Sequence, residues 1–199
     1  MQIGSGANPT PFYSRTMGFI DGSNLLIELS KVLKIDYRAD KPPIPALRIS
    51  KELINRYFQD EARIPIRKYW FASYQGTEQD FRNYAKELRA LGFEPVLFKK
   101  NKGKEKGVDI ALATEMLVNA FNQNYDTGIL VAGDKDYAKL VNEVKRFGPI
   151  ICGAFFQNGL SEDLQLSVDK FYDILRNVDF NTTPFKIHLS ELKKSILTK

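Results

Sequence analysis

The sequence predicts an α/β fold, a three-layer sandwich in which helices cover both faces of a central, mostly parallel sheet of about five strands. Short apolar runs alternate with longer stretches of helical periodicity, which is typical of a parallel sheet covered by helices. The chain has 199 residues, of which 43% are hydrophobic. A chain of this length and composition can bury one sizeable core, so we expect a single folded domain.

Five segments are short, apolar and bounded by polar or turn residues, as buried strands are. The predicted strands cover residues 17 to 21, 66 to 73, 93 to 98, 127 to 133 and 149 to 156. Helical periodicity predicts helices near residues 23 to 34, 47 to 60, 77 to 90, 108 to 123, 135 to 147 and 161 to 168. The proline-rich segment 40 to 46 is predicted to be a surface loop, because proline removes a backbone donor and disfavours helix.

The ends of the chain differ in character from its centre. We predict a flexible leader over residues 1 to 16, one domain over 17 to 176, and a tail over 177 to 199 that contains a candidate helix. No apolar run reaches the length of a membrane span, and the leader lacks the apolar centre of a secretory signal. The sequence therefore predicts a cytoplasmic protein without a membrane partner.

The chain has one cysteine, Cys152, and one histidine, His188. A single cysteine excludes an intramolecular disulfide, and its apolar surroundings predict a buried strand thiol. One histidine excludes zinc sites with several His and Cys ligands and disfavours a Ser/His/Asp triad. Any catalysis must therefore depend on carboxylates and metal ions.

Four aspartates follow strands or open helices of the predicted fold. Asp21 ends the first strand and is followed by Asn24, Asp109 opens the fourth helix, and Asp134 and Asp136 follow the fourth strand. In an open parallel sheet these turns share the carboxyl edge, where ligands bind near the switch in strand order. The apolar helix after Asp109 should also lie against the sheet, so we expect the acids to be buried together.

Each aspartate taken alone could be a helix cap or a first-turn acid. Two unit charges about 4 Å apart repel by roughly 4 kcal/mol at an effective dielectric near 20, and several such pairs would rival the stability of a domain. A divalent cation removes this repulsion, and oxygen ligands favour Mg²⁺ or Mn²⁺ over zinc. The acids therefore predict a metal site.

Positive charge is concentrated just before Asp109. The net charge is +5, and the segment KKNKGKEK, residues 99 to 106, contains five lysines and one glutamate. A solvated loop and a phosphate-binding patch both remain open for this segment. Its position beside the predicted acidic pocket favours contact with a phosphate backbone. The candidate phosphate contacts are Lys99, Lys100, Lys102, Lys104, Lys106 and Lys135.

Two tyrosines near the predicted pocket have two interpretations. Tyr74 follows the second strand, and Tyr137 begins the apolar pattern of the fifth helix. Either ring could stack on the bases of a single strand. Packing in the core or at the rim is the interpretation that the helical pattern favours, particularly for Tyr137.

Four stretches of the sequence resemble the signature motifs of the NYN domain. They are FIDGSNLL (19 to 26), KGVDIALATEML (106 to 117), LVAGDKDYAKLV (130 to 141) and GLSEDLQLSVDKFYDI (159 to 174). The resemblance is to the LabA-like group, once called DUF88, of the PIN-like nuclease superfamily. It implies a PIN-like sandwich, related to Rossmann-like folds, with an acidic pocket for Mg²⁺ or Mn²⁺ and an inferred ribonuclease activity.

The resemblance also assigns roles to single residues. By position, the four aspartates match the acidic constellation of the family, and Asn24 matches its accompanying polar residue. Glu115 resembles a further acid, but six helical residues separate it from Asp109 and turn it to a different face. The family usually has Ser or Thr where this chain has Ala132, so a hydroxyl that could orient a ligand is missing.

Two functions follow from these observations. The first is a metal-dependent ribonuclease whose site residues are Asp21, Asp109, Asp134, Asp136 and Asn24. Its expected substrate is RNA, with single-stranded RNA favoured over structured RNA. The alternative is a regulatory protein that binds RNA or a nucleotide in the same pocket without cutting it. The sequence leaves open whether the chain forms a homodimer.

Two other enzyme classes are disfavoured by missing motifs. A phosphatase of the haloacid dehalogenase type needs a nucleophilic aspartate two residues before Asp21, and Phe19 stands there. A dinucleotide-binding enzyme would have G-x-G-x-x-G after the first strand, and the sequence has no such motif.

Overall fold

The computed structural model describes residues 13–58, 63–100 and 107–197. Six strands form one sheet, and every neighbouring pair in it is parallel. The strands are β1 (Ser14–Asp21), β2 (Arg63–Tyr74), β3 (Glu94–Lys99), β4 (Thr127–Val131), β5 (Ile150–Phe155) and β6 (Lys170–Asp173). Their order across the sheet is β3-β2-β1-β4-β5-β6.

Helices cover both faces of this sheet. They are α1 (Gly22–Leu33), α2 (Ile44–Asn55), α3 (Glu78–Ala90), α4 (Val108–Phe121), α5 (Tyr137–Lys145), α6 (Glu162–Ser167) and α7 (Thr183–Leu197). A short 3-10 turn, Gln157–Gly159, follows β5. The predicted α/β fold is confirmed, and the described part of the sheet is parallel throughout.

The sequence prediction missed strand β6. Its four residues, KFYD, are only partly buried, because β6 is an edge strand that pairs with β5 alone. Such a strand has no continuous apolar run, so hydrophobic periodicity gives it a weak signal. The sheet therefore has six strands where about five were predicted.

Several element boundaries also differ from the prediction. Helix α2 begins at Ile44, within the predicted proline-rich loop, because proline is tolerated in the first turn of a helix. Strand β4 ends at Val131, two residues before its predicted end. Strand β1 begins at Ser14, and α7 packs against α2, with Leu192 fully buried.

The sheet separates two apolar clusters. Alternate residues of each strand face opposite sides, so Phe19 and Trp70 belong to different clusters. The first cluster packs α1, α2, α3 and α7 against the sheet, and the second packs α4, α5 and α6. Both faces are covered, which explains why the central strands read as continuous apolar runs.

The strand order changes direction between β1 and β4. From β1 the chain proceeds outward to β2 and β3, whereas β4 begins the opposite series toward β6. The loops that leave the carboxyl ends of β1 and β4 therefore diverge and open a crevice, where ligands bind in sheets of this type. Within the described ranges, no helix is both long enough and apolar enough to span a bilayer.

Candidate active site

A pocket of about 250 Å³ lies at the carboxyl edge where β1 and β4 adjoin. Its walls come from the start of α1, the start of α4 and the loop after β4. Three of the four predicted aspartates line it together, with the predicted asparagine. The polar residues of its wall are Asp21, Ser23, Asn24, Asp109 and Asp134.

Asp21 uses its two carboxylate oxygens differently. Oδ1 accepts a hydrogen bond from the backbone N–H of Asn24 at 2.9 Å and caps α1. Oδ2 accepts from the hydroxyl of Tyr137 at 2.9 Å. Asp21 is 5% exposed. The capping interpretation is therefore correct for one oxygen, and the other points toward the pocket's second acid.

The hydroxyl of Tyr137 lies between two carboxylates. It contacts Asp109 Oδ1 at 2.9 Å as well as Asp21 Oδ2 at 2.9 Å, so these oxygens are at most 5.8 Å apart, twice one contact. One hydroxyl carries one proton and can donate to only one of them. At 5.8 Å two carboxylates repel by about 3 kcal/mol at an effective dielectric near 20, and less where Asp109 faces water.

Burial and the nearby charges of Asp21 and Asp109 raise the pKa of Tyr137. A tyrosine with a raised pKa keeps its proton at neutral pH. The hydroxyl therefore remains a hydrogen-bond donor, and it can donate to either Asp21 or Asp109, one at a time.

Asn24 and Ser23 tie the start of α1 to neighbouring strands. Asn24 Oδ1 accepts from the backbone N–H of Gly133 at 2.8 Å, which holds the loop after β4 against α1. Ser23 Oγ accepts from the backbone N–H of Ser73 at 3.1 Å and fixes the helix start to β2. The first of these bonds positions Asp134 beside Asp21, because Asp134 follows Gly133 directly.

The four aspartates are not equally buried. Asp109, Asp134 and Asp136 are exposed, and only Asp21 lies in the interior. Our expectation that the acids are buried together is therefore wrong for three of them. Asp109 belongs to the first turn of α4, in which Val108 is buried in the core whereas Asp109 lies on the exposed side of the helix.

Asp136 faces a neighbouring groove. It lines this groove of about 600 Å³ with Lys135, Lys139 and Asp163, between α5 and α6. Its backbone N–H donates to Asp134 Oδ1 at 3.0 Å. This turn leaves Asp134 on the pocket and carries Asp136 to its other side, so the ligand role of Asp136 stays a prediction.

The oxygen ligands of the pocket suit a hard cation. Among the residues that the structure describes, no three His, Cys, Asp or Glu side chains are placed to hold a metal ion. Mg²⁺ commonly takes one or two carboxylates and completes its shell with water and substrate phosphates. Asp21 and Asp109, as neighbouring carboxylates, fit that smaller ligand set, whereas a cage of four aspartates is not formed.

Only some of the lysines predicted to contact phosphate lie within the residues that the structure describes. Lys99 is exposed at the end of β3, and Lys135 is exposed in the groove that Asp136 also lines. Lys100 Nζ lies 3.4 Å from a carboxylate oxygen of Asp40. Lys102, Lys104 and Lys106 lie outside the described residues.

The position of the Tyr137 hydroxyl between two carboxylates was missed by sequence reasoning. Its ring packs in the core as predicted, at 3% exposure, and so does the ring of Tyr74. The available signal was the residue type, since a buried tyrosine usually finds a partner for its hydroxyl where phenylalanine needs none. The sequence pattern could not say that the partners are Asp21 and Asp109.

Residues 15–175 match the model of the NYN domain family. The chain belongs to the NYN domain family. Its fold is accordingly the nuclease-like fold of the PIN-like superfamily. No curated protein matches the chain. The NYN domain here is similar to the crystal structure of a protein of unknown function from Vibrio parahaemolyticus, with a TM-score of 0.62 and 17% identity over 84% of this chain and 96% of that chain. This likeness concerns the fold alone.

Replacing Tyr137 by phenylalanine should destabilise the NYN domain more than the same change at Tyr125. Both rings are buried, but Tyr125 donates to the backbone oxygen of Met116, whereas Tyr137 faces carboxylates. Charge-assisted hydrogen bonds contribute about 1.5–3 kcal/mol and neutral ones about 1 kcal/mol. Urea denaturation in EDTA measures the free energy of unfolding of both variants, and equal losses would contradict a charge-assisted hydrogen bond at Tyr137.

Proposed function

We propose that this NYN domain is a divalent-metal-dependent ribonuclease of the LabA-like group that hydrolyses phosphodiester bonds of single-stranded RNA. One observation carries the proposal. At the point where the strand order changes direction, the Tyr137 hydroxyl lies 2.9 Å from a carboxylate oxygen of Asp21 and of Asp109, which are therefore within 5.8 Å, twice 2.9 Å, of each other, and Asp134 lines the same pocket.

Each residue of the pocket has a role in this proposal. Asp21 and Asp109 would hold Mg²⁺ or Mn²⁺, with Asp134 at the rim and Asp136 as a further predicted ligand. A bound ion supplies a water of lowered pKa and neutralises charge on the phosphate. Asn24 holds the loop that carries Asp134.

Lysines beside the pocket would contact the phosphates of the substrate. Lys99 is exposed at the end of β3, Lys135 is exposed in the groove that Asp136 also lines, and Lys102, Lys104 and Lys106 follow Lys99 in the chain. Lys100 is paired with Asp40, so it would have to exchange this carboxylate for a phosphate of the substrate. Contacts of this kind predict binding that weakens steeply with salt and depends little on sequence.

A second function, binding of RNA or a nucleotide without cleavage, is favoured by a different observation. Ala132 is buried at the end of β4 and has no hydroxyl with which to orient a water or a phosphate. A site that holds its ligand but lacks this group would serve a regulatory protein.

End-labelled single-stranded RNA, incubated with Mg²⁺, Mn²⁺ or EDTA, separates the two functions. The nuclease should cut only with a divalent ion and leave 5′-phosphate and 3′-hydroxyl ends, because the nucleophile would be water and not the 2′-hydroxyl of the substrate. RNA that is bound but stays intact with both ions would support the regulatory function. Cleavage in EDTA would contradict the metal-dependent chemistry.

A further inference from the structure

A second pocket, of about 390 Å³, lies beside β6 at the same edge of the sheet. We call it the β6 pocket. It combines two guanidinium groups, aromatic rings and side-chain amides, none of which belongs to the acidic site. The residues that matter for its chemistry are Arg56, Gln157, Phe171, Tyr172, Arg176 and Asn177.

The guanidinium of Arg56 is held in place before any ligand arrives. Its Nη2 donates to the hydroxyl of Tyr57 at 2.7 Å and to the backbone oxygen of Ile174 at 2.9 Å. Its Cζ also lies 4.9 Å from the centre of the Tyr57 ring. A cation restrained in this way loses little conformational entropy when it binds an anion.

Positive charge exceeds negative charge around the pocket. The residues that line the pocket include two arginines, Arg56 and Arg176, and one acid, Asp173. That carboxylate already accepts a hydrogen bond from the backbone N–H of Leu175 at 3.0 Å. The excess of positive charge favours an anionic ligand, and guanidinium groups suit phosphate through paired hydrogen bonds.

The ring of Phe171 lines the pocket, is partly exposed, and packs against an apolar cluster of the core. Tyr57 and Tyr172 stack on each other with centroids 4.9 Å apart, and Lys170 lies 4.9 Å from the Tyr172 centroid. Phe171 has no ring contact with another described residue. A flat base can stack on such a ring, and the amides of Gln157 and Asn177 can pair with polar groups on its edge.

We propose that the β6 pocket binds one nucleotide, with its phosphate at the two arginines and its base on Phe171. Strand β6 is three strands from β1, about 14 Å at roughly 4.8 Å per strand. A stacked strand covers that distance with about four nucleotides. The nucleotide is therefore either part of an RNA strand that also reaches the acidic pocket or a free nucleotide.

Binding measured in EDTA tests this inference independently of any cleavage. The probes are adenosine 5′-monophosphate, by calorimetry, and a fluorescein-labelled adenylate strand of about eight nucleotides, twice the length of the span, by anisotropy. The variants are Arg176→Glu, which reverses an exposed charge, and Phe171→Leu, which keeps an apolar side chain but removes the ring. Arg82→Glu makes the same charge reversal on the exposed surface of α3 and is the matched control.

Arg176→Glu should weaken binding about tenfold or more, as expected for loss of a charge-assisted contact, and Phe171→Leu about fivefold or more. Arg82→Glu should have little effect. If the pocket variants lose affinity for the monophosphate, the ligand is a free nucleotide. If they lose affinity for the labelled strand alone, the ligand is RNA. The proposal is overturned if the wild-type protein binds neither probe, or if the control loses as much affinity as Arg176→Glu.

Discussion

Asp109→Asn is expected to lower metal-dependent RNA cleavage by about a thousandfold while the domain remains folded. The asparagine keeps the size of the side chain and an oxygen that can accept from Tyr137. It loses the negative charge that would hold the ion. Metal-based stabilisation of a transition state is worth several kcal/mol, and about 4 kcal/mol corresponds to a thousandfold in rate. Single-turnover cleavage of labelled RNA in Mn²⁺ measures the effect.

Asp163→Asn is the matched control for this change. Asp163 is also an exposed acid in the first turn of a helix, α6, but it faces the neighbouring groove. Its replacement should leave the cleavage rate within about twofold of the wild type, since surface substitutions usually have small effects. Equal rates for Asp109→Asn and the wild type would remove Asp109 from the proposed site.

Thermal stability gives a second measure of the effect of Asp109→Asn. An ion that binds only the folded state of a protein raises the melting temperature of that protein by mass action. Mg²⁺ should therefore stabilise the wild type more than Asp109→Asn. Without metal, the variant should be at least as stable as the wild type, because one of the two repelling charges at Tyr137 is gone. Stabilisation by Mg²⁺ that is the same in both proteins would place the ion elsewhere.

The central strands of the fold could be predicted from the sequence because they are buried on both faces. The runs that contain Phe19 and Ile129 are apolar throughout, and turn residues follow them. Strand β6 has one neighbour and only partial burial, so its sequence carries a weak strand signal. Helix α2 shows the same limit, since Pro43 and Pro45 read as loop residues although the first turn of a helix accepts proline.

The site could be predicted as far as chain position determines it. Asp21, Asp109 and Asp134 share one pocket because parallel strands bring their carboxyl ends to one edge. Side-chain direction within a turn does not follow from position, which is why Asp136, two residues after Asp134, lines another groove. The bridging role of Tyr137 likewise depends on how α5 packs against α4, which periodicity does not specify.

Gly22→Ala is expected to destabilise the domain by about 3 kcal/mol or more, although alanine ordinarily favours a helix over glycine by about 0.5–1 kcal/mol. A Cβ at Gly22 would lie 2.1 Å from Nε1 and 2.3 Å from Cε2 of Trp70. That indole is fully buried, and its Nε1 donates to the hydroxyl of Tyr84 at 3.1 Å. Overpacking of a filled core typically costs about 1–3 kcal/mol, occasionally more, so the clash outweighs the helix preference.

A double-mutant cycle with Trp70→Phe tests this mechanism. Phenylalanine has a smaller ring, which leaves space in the core for the ring to move away from the new methyl group, so Gly22→Ala should lose less stability in the Trp70→Phe background than in the wild type. Urea denaturation of the four proteins gives the coupling energy, which for residues in contact is about 0.5–3 kcal/mol. Additive losses would show that the indole does not exclude a side chain at Gly22.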